Sequence, residues 1–196
     1  DTLELQLQQP HVARLECRAA NSEGVGSIDT RELVRNALRM RPDRIILGEV
    51  RGPEVFDMLQ AMNTGHDGSM ATIHANNPVD ALRRIENMMA QTGMHLPVAV
   101  VRQYIQSALD MIIFVQRMRD GVRRVSGIME ITGMEGDTIV TQPVYEFTIN
   151  SVGADGKIEG SYESSGLKPR FLDKARDYGL HIELLEAIGF EGEIER

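Results

Sequence analysis

The sequence has few of the residues that would indicate a disulfide-bonded, membrane-spanning or base-stacking protein. One of its 196 residues is cysteine and none is tryptophan, beside four tyrosines and five phenylalanines. Cys17 therefore has no partner for an internal disulfide, and without a Cys-x-x-Cys pair it does not suggest zinc. No apolar run approaches the roughly 18 residues of a membrane span. The first residues also lack the basic segment followed by an apolar segment that is typical of a signal peptide. We expect a soluble, cytoplasmic protein without a transmembrane segment.

Lysine is also scarce, and the first of the three lysines is Lys157. Residues 1–124 contain 15 arginines, no lysine and 15 acids, whereas residues 125–196 contain 6 basic and 14 acidic residues and carry the whole net charge of −8. Arginine without lysine suits bidentate contact with phosphate or carboxylate groups, although surface ion pairs would explain the same composition. The acidic C-terminal part and the shortage of aromatic residues disfavour a nucleic-acid-binding domain.

Helix and strand patterns alternate from about residue 28 to residue 116, which predicts a sheet covered by helices. The predicted helices are 30–40, 53–62, a segment from Asn77-Pro78 to before Gly93, and 97–109; the predicted strands are 44–47, 69–73 and 111–115. Strands near 122–132 and 138–149 then predict a β-meander, followed by an exposed loop over 150–167 and short helices at 169–178 and 183–188. We therefore predict an α/β core over 1–149 and an acidic appendage over 150–196.

An acidic residue follows the carboxyl end of the first predicted strand, which is the end at which α/β proteins bind their ligands. The segment 44–52 reads Arg-Ile-Ile-Leu-Gly-Glu-Val-Arg-Gly, so an apolar strand ends next to Glu49. The carboxyl ends of strands form the ligand-binding edge of such sheets. There Glu49 would orient the water that attacks a γ-phosphate, or help to hold Mg²⁺ through its water shell. Taken alone, the same pattern is more often a strand that ends in a solvated acid.

A polar, glycine-rich segment, 64–76, places the next predicted strand between His66 and His74. His74 ends that strand, so we expect it at the same sheet edge as Glu49 and close to a phosphate. A single histidine after a strand is more often structural or solvated than a phosphate sensor. The two histidines have no third ligand at helical spacing, so no direct metal site is predicted.

Charged residues recur near the start of the chain. Asp1 and Glu4 are two acids three residues apart, ahead of an alternating apolar run that by itself predicts an edge strand. Side chains of a β-strand point alternately to its two faces, so Arg14 and Arg18 would share one face if this segment is a strand. Two guanidinium groups on one face can bind one phosphate chain. For these arginines alone, a solvated strand face is the simpler explanation. Because the chain begins with Asp1 rather than Met, we expect the natural N-terminus to lie elsewhere.

Together these segments closely resemble the type II/type IV secretion ATPase superfamily of GspE/PulE and pilus-retraction type. The resemblance rests on three ordered motifs, at 1–5, 38–51 and 62–76, covers essentially residues 1–150, and extends to a short tail segment at 166–171. Within the superfamily the sequence is most similar to the CpaF-like ATPases of tight-adherence (Flp) pilus systems.

The resemblance implies a RecA-like ATPase domain, expected in a hexamer, that couples hydrolysis of ATP with Mg²⁺ to an inner-membrane pilus or secretion platform. Such a protein would lie in the cytoplasm, at the inner face of that membrane. The resemblance assigns catalytic roles to three residues: Glu49 (Walker B), Glu4 (Asp box) and His74 (His box). It assigns nucleotide binding to six others: Asp1 in the Asp box, Gly65 and His66 in the His box, and Arg14, Arg18 and Arg51.

The chain departs from the family because it contains no Gly-x-x-x-x-Gly-Lys-[Ser/Thr] phosphate loop. In the family this loop precedes the Asp box, so we expect the loop and the first βα unit before Asp1 or in another chain. We therefore predict that this chain alone does not hydrolyse ATP. Two alternatives stay open: a type IV secretion ATPase that moves protein or DNA, and a non-catalytic assembly module of the same fold.

Overall fold

Residues 4–190 are described by the computed structural model, in which the chain divides into two units, Asp1–Ala108 and Leu109–Arg196. The predicted division into a core and an appendage near residue 149 stays a prediction. None of the helices within residues 4–190 combines the length and the hydrophobicity of a transmembrane span. Asp1, one of the predicted nucleotide-binding residues, lies outside the described residues.

Four helices form most of the first unit: α1 (Thr30–Arg39), α2 (Glu54–Asn63), α3 (Pro78–Ala90) and α4 (Val98–Ala108). All four were predicted, with bounds that agree within a few residues. Their ends follow local chemistry. The Asp29 carboxylate accepts a hydrogen bond from the Glu32 N–H at 2.8 Å and so caps α1, and Asn77 caps α3 through the Asp80 N–H, also at 2.8 Å. Pro42 follows closely after the end of α1.

Two short parallel strands, β1 (Ile46–Leu47) and β2 (Met70–Ala71), are joined through α2 as a β-α-β unit. They are shorter than predicted, but backbone hydrogen bonds continue the pairing on both sides. Met70 N–H donates to the Ile45 carbonyl at 2.9 Å, and Val50 N–H donates to the Thr72 carbonyl at 2.9 Å. The pairing therefore brings the segments that follow β1 and β2 side by side.

Helix α2 is the centre of the first unit. Its apolar face buries Met58 and Ala61 against Ile45, which precedes β1. On the side facing α1, the buried carboxylate of Asp57 accepts from two arginines of α1, Arg31 Nε at 2.7 Å and Arg35 Nε at 2.8 Å. Two opposite charges satisfy both oxygens of a group that would be costly to bury alone.

The predicted strand that carries Arg14 and Arg18 is wrong. Residues 4–17 contain no helix or strand, and the only pairing nearby is an isolated antiparallel bridge between Arg18 and Ile28. Most side chains of this segment are exposed. An alternating pattern forms a stable strand only when a partner strand and an apolar face are present, and this segment has neither in the described structure.

The second unit contains an antiparallel meander of β3 (Met111–Arg117), β4 (Arg123–Glu135), β5 (Thr138–Val152) and β6 (Ile158–Ser164), paired in that order. The meander was predicted, but β6 lies where an exposed loop was expected, and that part of the prediction is wrong. The glycines and serines of this segment favoured the loop prediction. In the structure Ile158 is buried, and Tyr162 packs edge-on against Phe147 of β5, at 5.1 Å between ring centroids.

Two terminal helices, α5 (Leu172–Asp177) and α6 (His181–Ala187), pack on this sheet, near the predicted positions. Leu172 and Leu185 join Val144 of β5 in a buried cluster. The carboxylate of Glu130 on β4, which is almost fully buried, accepts from the backbone N–H groups of Arg170 at 2.9 Å and Phe171 at 2.6 Å. A buried acid on the sheet therefore anchors the chain where it enters α5.

Candidate active site

The segments that follow β1 and β2 bring Glu49 and His74 together. His74 Nε2 lies 3.4 Å from Glu49 Oε1. The Thr72 hydroxyl donates to the Gly48 carbonyl and so ties the two segments together immediately before these side chains. The structure thus places Glu49 and His74 at one edge, as the sequence motifs predict, because parallel strands end on the same side of their sheet.

Arg51 holds the other oxygen of Glu49. Its guanidinium contacts Oε2 through Nε at 2.7 Å and Nη2 at 2.6 Å. The hydrogen bond from Arg51 is the main reason that the pKa of Glu49 lies below its ordinary value. Burial opposes this effect, while the charges of Arg51, His74 and Arg84 add to it. Glu49 is therefore ionised at neutral pH, although its side chain is only 18% exposed.

Glu54 fixes the backbone that carries Arg51. Its buried carboxylate, in the first turn of α2, accepts from the Arg51 N–H at 2.6 Å and the Gly52 N–H at 2.9 Å through Oε1. These N–H groups precede the helix and would otherwise have no intrahelical partner. The sequence reasoning missed Glu54; the signal was an acid in the first turn directly after Gly52-Pro53.

An open cavity of about 500 Å³ adjoins the exposed ring of His74. The residues that line it come from the His74 segment and from α3: His74, Ala75, Asn76, Asp80, Arg83, Arg84 and Asn87. Two arginines and one carboxylate give the cavity a net positive lining, and Arg83 is partly balanced by Asp80 at 3.6 Å. Arg84 was also missed, although the Arg-Arg pair on a predicted helix soon after His74 was a visible signal.

The other half of the predicted His box lies elsewhere. His66 precedes β2, so it lies toward the opposite end of that strand from His74, and its Nδ1 is 3.1 Å from the Ala61 carbonyl at the end of α2. Gly65 has φ +92°, a conformation that glycine adopts readily, and forms the turn between them. The structure does not bring Gly65 or His66 to Glu49, and their predicted contact with nucleotide stays a prediction.

Glu4, Arg14 and Arg18, the predicted residues of the N-terminal segment that the structure describes, are exposed. Arg14 donates to the Leu7 carbonyl at 3.3 Å, and Arg18 donates through Nε to the Gly26 carbonyl at 2.7 Å. These contacts of Arg14 and Arg18 do not involve Glu49, and the assignment of all three residues rests on the sequence resemblance.

The arrangement suits one end of a phosphate ester better than a metal ion. Among residues 4–190 no group of three histidine, cysteine or acidic side chains is placed to ligate a metal. Glu49 is a single carboxylate held by an arginine, so it fits Mg²⁺ only through the water shell of the ion. Glu49, His74, Arg51 and Arg84 together offer a base, an imidazole and two cations, which matches the charge that develops at a terminal phosphate.

Comparison with known proteins shows the family of the chain. Residues 1–157 match the family described as type II/IV secretion system protein. A protein of Mycobacterium tuberculosis named for conjugal transfer is 46% identical over 136 residues, which cover 69% of this chain and 38% of that protein. The conjugal transfer protein TrbB of Rhizobium radiobacter is 36% identical over 133 residues, covering 66% of this chain and 40% of TrbB.

A solved structure is also similar: the VirB11 ATPase of the Brucella suis type IV secretion system shares 31% identity, with a TM-score of 0.48, over 52% of this chain and 31% of that one. The chain spans about two fifths of the length of the two conjugal transfer relatives. The family match covers well over half of the chain. This chain therefore belongs to the type II/IV secretion system protein family.

Proposed function

We propose that this chain supplies the Walker B and His-box part of a RecA-like secretion ATPase, with Glu49 as the catalytic carboxylate. The observation that carries the proposal is the pairing of Glu49 with His74 at 3.4 Å, at the edge where two parallel strands end. Membership of the secretion family, together with the resemblance of the motifs to those of secretion ATPases, supports ATP as the nucleotide. The fold alone would not carry this conclusion.

The chemistry follows from the charge state of Glu49. ATP supplies the terminal phosphoryl group, and Mg²⁺ with it would neutralise charge on the phosphates. Ionised Glu49 accepts a hydrogen bond from a water molecule through Oε1 and orients it for attack. His74 lies beside that same oxygen and is exposed to the cavity, so it senses whether a phosphate is present. Arg51 fixes the orientation of the carboxylate, which keeps Glu49 positioned between turnovers.

The phosphate loop is the main part of a nucleotide site that this sequence does not contain. Backbone N–H groups and the lysine of such a loop supply most of the contacts to a triphosphate. We therefore expect the 196-residue chain alone to show no appreciable ATP hydrolysis, and expect activity where the chain is combined with that loop. Asp1, Glu4, Arg14 and Arg18 are proposed to contact nucleotide in that setting, the arginines from a neighbouring subunit.

The process that the ATPase drives is a separate proposal. The CpaF-like resemblance favours assembly of a tight-adherence pilus by a homo-oligomer, expected to be a hexamer, bound to an inner-membrane platform from the cytoplasmic side. The relatives named for conjugal transfer favour the second candidate, a type IV secretion ATPase. Deleting the gene and scoring pilus formation and DNA transfer in the same strain distinguishes the two processes.

The enzymatic proposal is tested by Glu49→Gln in the full-length protein. The amide keeps the shape of the side chain but removes the charge, so hydrolysis should fall by roughly 10² or more while nucleotide binding is largely retained. Glu54→Gln is the control for damage to the backbone near the site, because Glu54 acts on N–H groups rather than on the cavity. If binding falls in proportion to turnover, Glu49 is structural. If the wild-type protein binds ATP without turnover, the chain is a non-catalytic module.

A further inference from the structure

The hairpin between β3 and β4 carries a group of exposed arginines in an otherwise acidic part of the chain. Arg117 ends β3, Arg119 lies in the turn and Arg123 begins β4; we call these three residues the arginine hairpin. Among residues 4–190, none of the three forms a salt bridge with an acidic residue. Arg117 bonds only within the hairpin, from Nε to the Gly121 carbonyl at 3.3 Å. The hairpin is therefore a compact, uncompensated positive surface.

Two of these arginines lie directly opposite each other on neighbouring strands. Arg117 and Arg123 are register partners in the antiparallel pair of β3 and β4. Side chains of register partners have Cβ atoms roughly 4.5–5.5 Å apart, and like charges in that arrangement destabilise the pair. An anionic group that binds both guanidinium ions would remove this cost. The geometry thus favours a ligand with two negative charges at a similar spacing.

The turn itself is held rigidly. The buried carboxylate of Asp120 pairs with Arg124 at 2.8 Å and 2.9 Å and accepts from the Ile158 N–H at 3.2 Å, so the turn is tied to the start of β6. The guanidinium of Arg124 also lies over the ring of Phe147, 5.5 Å from its centroid. Arg119 and its neighbours are consequently presented by an ordered turn, and little ordering entropy is lost when a partner binds.

The same sheet carries the complementary pattern on β5 and β6. Glu146 and Glu163 are register partners and are exposed, and Glu159 lies on the same face of β6 as Glu163 because residues four apart in a strand share a face. We call these three residues the glutamate face. Within residues 4–190, their carboxylates accept hydrogen bonds only from two hydroxyls, Ser151 on Glu159 at 2.9 Å and Ser161 on Glu163 at 3.4 Å.

We propose that the arginine hairpin of one copy of this chain binds the glutamate face of a second copy. Each surface contains one cross-strand pair of like charge, Arg117 with Arg123 and Glu146 with Glu163. Both pairs span one inter-strand spacing, so the two arginines match the two glutamates in number and separation. Arg119 and Glu159 add a third charge on each side. An anionic bilayer or a nucleic acid fits less well, because residues 125–196 carry 14 acids against 6 basic residues, and an extended negative surface would repel them.

The test is association of the full chain, measured by sedimentation velocity at low and at moderate salt. The double variants Arg117→Glu/Arg123→Glu and Glu146→Arg/Glu163→Arg should each weaken self-association at least about tenfold, because like charges then face each other across the contact. A mixture of the two variants should associate again, since each restores complementary charge to the other. Added salt should weaken wild-type association, as expected for exposed ion pairs.

The matched controls reverse the same number of charges at exposed positions outside the two proposed surfaces. Arg39→Glu/Lys168→Glu and Glu183→Arg/Glu186→Arg alter the net charge equally at exposed positions and should leave association unchanged. Three results would each overturn the proposal: a wild-type chain that stays monomeric throughout the micromolar range, variants that associate normally, or a mixture that fails to recover. Loss of binding to vesicles of anionic lipid with unchanged self-association would assign the arginine hairpin to a membrane instead. None of these results depends on ATP hydrolysis.

Discussion

The two oxygens of Glu49 are divided between two neighbours: Oε2 accepts from Nε and Nη2 of Arg51 at 2.7 Å and 2.6 Å, and Oε1 lies 3.4 Å from His74 Nε2. One oxygen is thus held by a permanent cation, and the other points to an exposed imidazole beside the cavity. This division keeps Glu49 ionised and leaves one of its oxygens for chemistry. It also makes separate predictions for Arg51 and His74.

Replacing Arg51 should shift the pH dependence of hydrolysis. Arg51 is the largest cause of the lowered pKa of Glu49, so Arg51→Ala should raise that pKa. A base must be ionised to act, and activity is lost as the pH falls through its pKa. The acid limb of the rate profile of the full-length protein should therefore move to higher pH. Arg51→Lys, which keeps the charge but cannot donate from two nitrogens, should shift it less. An unmoved acid limb in Arg51→Ala would exclude Glu49 as the titrating base.

His74→Ala should reduce ATP hydrolysis and motor output much more than it reduces stability. The side chain of His74 is 84% exposed and fills no core volume, so its removal should change the free energy of unfolding by less than about 0.5 kcal/mol. Thermal unfolding and ATPase assays on the full-length protein measure both quantities. His95→Ala is the comparison, because that exposed ring has no assigned role and does not line the cavity. Equal loss of hydrolysis in both variants, or a destabilised His74→Ala protein with normal activity per folded molecule, would contradict a sensing role.

Asp120→Asn should make the chain less stable at neutral pH, with a defect that shrinks in acid. Hydrogen bonding from Arg124 lowers the pKa of Asp120 strongly, and the N–H groups of Val122 and Ile158 act in the same direction. A lowered carboxyl pKa adds stability above the unfolded value, about 3.9, and this stability is lost as the pH falls through the folded value. Unfolding by denaturant should therefore show wild-type and variant converging below about pH 4. Asp155→Asn, at an exposed ion pair with Lys157, should show a much smaller difference at every pH.

The sequence predicted the helices and the relation of Glu49 to His74 because both depend on local signals. Capping residues and prolines set the helix ends, and two apolar strands followed by polar residues had to end at one edge. The strand at Arg14 and Arg18 was predicted wrongly, because alternation does not show whether a partner strand is present. Strand β6 was missed for the opposite reason: its pairing with β5 outweighs its glycine and serine content. Arg84 acts on Glu49 from helix α3: the Arg-Arg pair after His74 is visible in the sequence, but its position beside the cavity depends on how the helix packs.

The adjacent residues Arg83 and Arg84 provide a matched pair for testing the cavity. Both are exposed on α3 and line the cavity beside His74, but only Arg84 contributes to lowering the pKa of Glu49, while Arg83 lies 3.6 Å from Asp80. Arg84→Ala should move the acid limb to higher pH, as Arg51→Ala does but by less, because a cation that favours ionised Glu49 is removed and Arg51 makes the larger contribution. Arg83→Ala should leave the acid limb in place. Rate profiles of both variants of the full-length protein, with unfolding curves to confirm equal stability, measure the difference. Identical profiles for the two variants would show that Arg84 has no specific influence on Glu49 and acts only as general positive charge on α3.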